Sequence, residues 1–384
     1  MDVQAPRVDQ TGSSPHAHES AGRTPESLAL QRKLLVDGEA SLVAGRIDDA
    51  RRAFEQAALM AHEAEIELGL LRTQMQAGEY RQALGFAAHT AGVHLDEVDG
   101  RVFYAWLLNL GGQMAMAERT LAQAEERAPA HPMVRAVRQR FQSGSLLASD
   151  ALLTLPARLA PFETGRAVGP RAQVLASAYL LADGRHALAP HVALTGQGRI
   201  WLRNGLGQTA EARVDERDEA LGLTLLTLSD AMPPAGGDLQ APQDAFAGSP
   251  AFACDYPADP QARPAWPVMR AGFLGMPQRG LDGVRYLGVE LPGRSRRGGP
   301  VFDQGGRLVG LVVGADGAAS GQAAVAPERM INVSVLLQRF GDKLGGKGGM
   351  GRPSPMGADE IYERAMRTCL QVIVDEPERA ASRP

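Results

Sequence analysis

The chain has little cysteine and no long apolar run. Only two cysteines, Cys254 and Cys369, occur among its 384 residues. They are too few for a disulfide framework, or for a zinc site without many histidine partners. A single bridge between them is one alternative, and two buried thiols are the simpler interpretation. No stretch reaches about 18 consecutive apolar residues, the length that a transmembrane helix needs, so no such helix is expected.

The sequence also lacks an excess of positive charge and an apolar leader. Lys and Arg number 40 against 44 Asp and Glu, for a formal net charge of -4, which argues against binding nucleic acid through phosphate contacts. Residues 1–28 are polar and have no apolar signal segment, so they predict a disordered leader and a cytoplasmic protein. His16 and His18 could hold a metal weakly, but a solvated tail is the preferred interpretation. No cofactor and no metal site are predicted.

Residues 29–145 contain a motif that repeats three times. The segments AGRIDDARRAFEQA, AGEYRQALGFAAHT and GGQMAMAERTLAQA share a glycine, followed five residues later by an alanine (Gly45, Gly78 and Gly112; Ala50, Ala83 and Ala117). The glycines are 33 and 34 residues apart. A glycine suits the left-handed position that ends a helix, and the small alanine lets two helices approach closely. The period therefore predicts helix-turn-helix units, with a plain helical bundle as the alternative.

This motif resembles the tetratricopeptide repeat over about residues 30–130, although the tryptophan of that family's signature is absent. The resemblance implies a curved solenoid whose concave face binds a protein or peptide partner. Repeats of this kind carry no chemistry of their own. The first half of the chain therefore predicts an interaction role.

From about residue 166 the pattern changes to short apolar runs. Segments such as GRIWLRN, LGLTLLTL and RLVGLVVG are bounded by Gly, Pro, Asp and Asn. Short strands at this spacing predict an antiparallel barrel or sandwich. The change of pattern also predicts a domain boundary between about residues 141 and 166.

Five segments of residues 166–341 resemble, in the same order, the HtrA-like branch of the trypsin-fold serine proteases. They are ASAYLLADGRHALAPHVAL, GRIWLRNGLGQTAEARVDERDEALGLTLLTL, GSPAFACDYP, YLGVELPGRSRRGGPVFDQGGRLVGLVVG and AAVAPERMINVSVLLQRF. The resemblance implies a double antiparallel β-barrel. It places His191 at the catalytic histidine, Gly222 at the triad aspartate and Arg297 at the nucleophilic serine. Asp218 matches the aspartate that precedes the triad aspartate in the same segment.

Serine-protease chemistry needs a hydroxyl that attacks, an imidazole that removes its proton and a carboxylate that orients the imidazole. Of the three matched positions, only His191 retains its group, because Gly222 has no side chain and Arg297 has no nucleophilic oxygen. Loss of the orienting aspartate alone lowers turnover by about 10⁴ in a serine protease. The sequence therefore predicts a catalytically inactive pseudoprotease that acts as a scaffold or regulator through its repeats.

Two other functions stay open. Ser295 could be the nucleophile, with His191 as its base, if the two arginines that follow it are an insertion; the chain would then be an active serine endopeptidase. Alternatively, Arg294, Arg296 and Arg297 could bind a carboxylate or a phosphate and make this loop an anion or ligand sensor. A solvated basic loop is the plainer interpretation of the three arginines.

The C-terminal residues resemble a displaced piece of the barrel domain. A Gly-rich linker over 342–357 precedes residues 358–384, in which ADEIYERAM predicts a helix and CLQVIVDEP a strand. This pair resembles the helix and first strand with which HtrA-like domains begin. The tail either folds back to complete the first barrel or is the stub of a second, truncated copy. The expected fold class is thus an α-helical repeat solenoid followed by a two-barrel, trypsin-like β domain.

Overall fold

The computed structural model describes residues 24–191, 194, 198–233, 241, 243–289, 298–313, 328–344 and 354–375. Seven α-helices occupy the first part of the described chain: α1 Pro25–Val43, α2 Ile47–Met60, α3 Ala64–Ala77, α4 Tyr80–Val93, α5 Asp99–Leu110, α6 Met114–Arg127 and α7 Pro132–Ser143. They form consecutive helical hairpins that contact one another in chain order.

The repeated glycines and alanines have the roles that their spacing predicts. Gly45, Gly78 and Gly112 lie in the turns α1–α2, α3–α4 and α5–α6 with φ values of 72°, 76° and 84°. This left-handed conformation is strained for any residue with a Cβ atom. The alanines five positions later are fully buried between helices. Three successive hairpins with the same turn chemistry are consistent with helical repeats.

One layer of the helical stack is covered by the rest of the chain. Helices α1, α3, α5 and α7 contact one another in turn, so they form one layer of the stack, which we call the inner layer. Ten of the twelve residues of α5 are buried. Arg270 in the second barrel donates a hydrogen bond to Asn109 O at 2.7 Å, and the Phe103 and Trp266 rings lie 6.3 Å apart. Helix α5 is therefore covered, at least in part, by the chain's own β domain.

Two closed barrels of six strands each follow the helices. The strands are β1 Thr164–Gly165, β2 Ala172–Leu180, β3 His186–Pro190, β4 Arg199–Asn204, β5 Gln208–Asp218, β6 Leu223–Leu228, β7 Pro250–Asp255, β8 Val268–Pro277, β9 Val284–Gly288, β10 Pro300–Phe302, β11 Leu308–Val313, β12 Glu328–Asn332 and β13 Cys369–Asp375. The first barrel has the order β5-β4-β13-β2-β3-β6, closed by pairing of β5 with β6 and extended by a parallel β1. The second has the order β10-β11-β12-β9-β8-β7. The predicted fold class, helical repeats followed by a trypsin-like double barrel, is confirmed.

The C-terminal tail is part of the first barrel. Helix α8 (Val333–Leu344) follows β12, and α9 (Ala358–Thr368) leads directly into β13. Strand β13 pairs antiparallel with β2 on one side and with β4 on the other. Its Leu370, Val372 and Val374 lie in the apolar core of the first barrel, while Ile373 packs in a different cluster on the other face. The tail therefore folds back and completes the first barrel, which was the first of the two alternatives.

The segment between helices and strands is not an open linker. Leu146, Leu147 and Leu159 are buried in an apolar core that also contains side chains of the helical layer and of both barrels. Gln76 on α3 fixes the end of this segment, since Gln76 Oε1 accepts from Phe162 N at 2.9 Å and its Nε2 donates to Phe162 O at 3.1 Å. Helical and β parts therefore share one core across the expected boundary.

Candidate functional site

His191 directly follows β3, at the rim of the first barrel. Strand β3 pairs with β6 as far as Pro190 opposite Leu223, and His191 N then donates a hydrogen bond to Gly222 O at 2.7 Å. The barrel therefore brings the positions matched to the catalytic histidine and the triad aspartate side by side. Gly222 itself has a φ of 64°, and a Cβ atom added there would meet no atom within 4 Å.

A hydroxyl lies where a carboxylate would orient the imidazole. Among the described residues, the hydrogen-bond neighbour of His191 Nδ1 is Thr224 Oγ1, at 3.4 Å, and Thr224 is fully buried on β6. A neutral hydroxyl can accept a hydrogen bond from Nδ1–H, but it carries no charge to stabilise an imidazolium. The carboxylate of Glu219 lies on the other side, 3.7 Å from Nε2, and its side chain is 79% exposed.

Asp218 is held by other partners. Its Oδ1 accepts from Leu221 N at 2.9 Å, and its Oδ2 accepts from Arg339 Nε on α8. Burial acts to raise the pKa of this carboxyl, but the hydrogen bonds from Leu221 N and Arg339 outweigh it and hold the pKa below its usual range. Asp218 is thus an ionised anchor that ties the end of β5 to α8.

The Gly-Gly of the expected nucleophile loop lies beside the histidine. Gly298 has a φ of 107°, and a Cβ atom there would come within 2.2 Å of Ser177 O and 2.4 Å of Pro190 Cδ. A Cβ atom at Gly299 would come within 2.0 Å of Cys254 O. Only glycine fits these two approaches. The fold thereby brings the chain that follows residue 297 against the residue that precedes His191.

The remaining predicted site residues, Arg294, Ser295, Arg296 and Arg297, lie outside the described residues. Their assignment as nucleophile position, alternative nucleophile or anion-binding arginines therefore stays a prediction. The same holds for His16 and His18 in the leader.

A buried polar junction behind Gly298 was not found from the sequence. Ser177 on β2 donates a hydrogen bond to Asp255 Oδ1 on β7. Tyr256 N donates to Ser177 Oγ at 2.8 Å and to Asp255 Oδ1 at 2.7 Å. Ser177 and Asp255 are almost completely buried. They join the two barrels directly behind the site. Because 78 residues separate them in the sequence, no local motif predicts the pair.

The two cysteines are free and buried, with Cys369 Sγ 3.7 Å from Cys254 O. The prediction of buried thiols is confirmed. Burial raises the pKa of both thiols far above their ordinary value, so neither is a nucleophile at neutral pH.

No α-helix within the described ranges is both long enough and apolar enough to cross a membrane.

Comparisons with known proteins find similarity only at the level of solved structures. No protein-family model matches the chain, and no curated protein matches it. The HtrA-type protease AlgW with a decapeptide is 18% identical with a TM-score of 0.37, over 45% of this chain and 52% of that one. This chain thus spans about half the length of the AlgW structure.

Two further structures show a similar degree of likeness. The MamO protease domain from Magnetospirillum magneticum is 16% identical with a TM-score of 0.32, over 44% of this chain and 95% of that one. The active form of the Rv3671c protease from M. tuberculosis is 16% identical with a TM-score of 0.35, over 49% of this chain and 84% of that one. Similarities of this size leave activity, substrate and partner to be proposed.

Proposed function

We propose that this protein does not cleave peptide bonds and instead uses a protease-like double barrel, joined to helical repeats, to bind a protein or peptide partner. The observation that carries the proposal is the surroundings of His191, whose Nδ1 faces the Thr224 hydroxyl at 3.4 Å while a glycine occupies the position matched to the aspartate. Without a carboxylate at Nδ1, the imidazolium that forms during acyl transfer is not stabilised. Arg297 at the matched serine position agrees with this proposal.

The test of activity uses the purified full-length protein with unstructured casein and with a fluorophosphonate probe. We expect no cleavage above background and no covalent labelling, with trypsin as the positive control. Cleavage that disappears in both Ser295→Ala and His191→Ala would contradict the proposal and establish the alternative endopeptidase. Because Ser295 and His191 would act as a unit, the two variants should then lose activity to a similar extent.

The surface that binds the partner is, in this proposal, the exposed side of α1, the first helix of the inner layer. The inner layer is covered by the β domain at α5, whereas α1 exposes Val36 and Val43, at 67% and 54%. These residues are seven positions apart, so they lie on one side of the helix. Exposed apolar side chains on the same side of a helix offer an apolar surface for a partner.

Photo-crosslinking of the full chain tests this surface. With benzoylphenylalanine at position 36, we expect a discrete adduct from a native lysate. The matched control carries the same group at position 281 in the second barrel, where Leu281 is 44% exposed. Adducts of equal yield at both positions, or at neither, would contradict binding through the repeats. Serine substitutions at Val36 and Val43 should also prevent the partner from copurifying, while Leu281→Ser should not.

A further inference from the structure

Three metal-ligating side chains meet at one edge of the first two helical hairpins. His62 lies in the connection between α2 and α3, Glu67 in the first turns of α3, and His94 immediately after α4. Because α3 and α4 form an antiparallel hairpin, the beginning of one lies beside the end of the other. The His62 and His94 rings stack with their centroids 5.0 Å apart.

The ligand atoms of this cluster converge. Glu67 Oε1 is 2.7 Å from His62 Nε2 and 3.4 Å from His94 Nε2, and all three side chains present a ligand atom within 4.8 Å of the others. Neighbouring ligands around a tetrahedral zinc ion with bonds of about 2.0–2.1 Å are about 3.3 Å apart. The cluster therefore needs only a small adjustment to surround an ion, and the His62 side chain, 42% exposed, is free to make it.

The carboxylate of Glu67 is buried without full compensation. Its side chain is only 4% exposed, and its second oxygen, Oε2, has no hydrogen-bond partner among the described residues. His94 Nε2 is also buried, and the described residues give it no hydrogen-bond partner. A buried carboxylate is costly unless a cation accompanies it. The groups that the described residues place beside Glu67 Oε1 are the two imidazoles of His62 and His94, which are metal ligands by chemical type.

From this geometry we infer that His62, Glu67 and His94 form a binding site for a divalent transition-metal ion of the zinc class. Two imidazoles and one carboxylate suit Zn²⁺ and Co²⁺, whereas Mg²⁺ and Ca²⁺ prefer sites made of oxygen ligands. Three protein ligands leave at least one coordination position for water or an incoming group. An ion here would connect the α2–α3 turn to the end of α4, and so tie the first hairpin to the second.

The experiment is a Co²⁺ titration of the metal-free full-length protein, read by the visible absorption of the bound ion, followed by displacement with Zn²⁺. We expect one equivalent to bind, and Zn²⁺ to abolish the absorption and raise the melting temperature. The variants His62→Ala, Glu67→Gln and His94→Ala should each weaken binding by about tenfold or more, since even indirect supports of a metal site cost this much.

Two controls separate this site from other histidines. His131→Ala removes a histidine of the same helical part that faces a single carboxylate, Asp99, at 3.4 Å, and should leave the titration unchanged. The variant His16→Ala/His18→Ala tests the leader and should also bind normally. Far-ultraviolet circular dichroism without metal verifies that each variant is folded. Absence of binding by the wild type, binding that survives Glu67→Gln and His94→Ala, or binding lost with the leader histidines would each overturn the inference.

Discussion

Replacing Leu370 with alanine should destabilise the protein by about 2–5 kcal/mol, the usual cost of removing a leucine side chain from a packed core. Leu370 is fully buried in the first barrel, on a strand with partners on both sides, where it lies opposite Ala178 of β2 and Asn204 of β4. The cavity left behind cannot easily close between two paired strands. A loss of this size is a large part of a net stability of about 5–15 kcal/mol. The measurement is the midpoint of urea unfolding.

The matched control is Leu59→Ala. Leu59 is 89% exposed on α2, and surface substitutions of this kind change stability by about 0.5 kcal/mol or less. Equal unfolding midpoints for the two variants would mean that β13 does not belong to the core of the barrel.

Deletion of residues 358–384 extends the same prediction. It removes the strand that lies between β2 and β4 and also α9, whose Ile361, Tyr362 and Met366 are fully buried. The Tyr362 ring lies 4.3 Å from that of Tyr80 on α4, so the loss extends into the helical part. We expect the truncated chain to be insoluble or to melt far below the full chain. An unchanged melting temperature would contradict this structural role.

Replacing Arg203 with alanine should cost about 3–5 kcal/mol, because it leaves the Glu163 carboxylate, whose side chain is 26% exposed, without its cation and several buried acceptors without their donor. The Arg203 side chain is completely buried on β4 and donates to Glu163 Oε1 at 2.5 Å. It also donates to Ala262 O at 2.8 Å, to Thr209 Oγ1 at 3.1 Å and to Gln371 Oε1 at 3.2 Å. Burial lowers the pKa of the guanidinium, and Glu163 acts in the opposite direction. Arg203 thereby links β4 to β13, through Gln371, and to the segments that contain Glu163 and Ala262.

Chemical denaturation measures this effect, with Arg166→Ala as the control. The Arg166 side chain is 68% exposed and lies 3.6 Å from Glu211, a surface pair that contributes about 1 kcal/mol or less. The double variant Arg203→Met/Glu163→Gln should be less destabilised than Arg203→Ala, because it leaves no unpaired carboxylate. If Arg203→Ala and Arg166→Ala had equal effects, the buried network would have no structural importance.

The histidine site shows where sequence comparison succeeds and where it stops. The order of segments placed His191 and Gly222 at matched positions, and the pairing of β3 with β6 brings them within one hydrogen bond, 2.7 Å, of each other. It did not reveal that Thr224 Oγ1 would be the group beside Nδ1. Alternation along a strand indicates to which face of the sheet a side chain points. The atom that the side chain contacts depends on the register of the neighbouring strand, which the sequence does not show.

By itself, the sequence determined the features that depend on short stretches of chain. The spacing of Gly45, Gly78 and Gly112 specified the helical turns, because only glycine takes their left-handed conformation without strain. Alternation in CLQVIVD specified which side chains of β13 share a face, since successive residues of a strand point to opposite sides.

The tertiary structure alone decided what depends on residues far apart in the chain. It inserted β13 between β2 and β4, covered the inner helical layer at α5 with the β domain, and brought His62 and His94 to Glu67. A local sequence pattern shows that a face is apolar, but not which distant segment will cover it. That choice is made only when the whole chain packs, because burial of apolar surface is not specific for one partner.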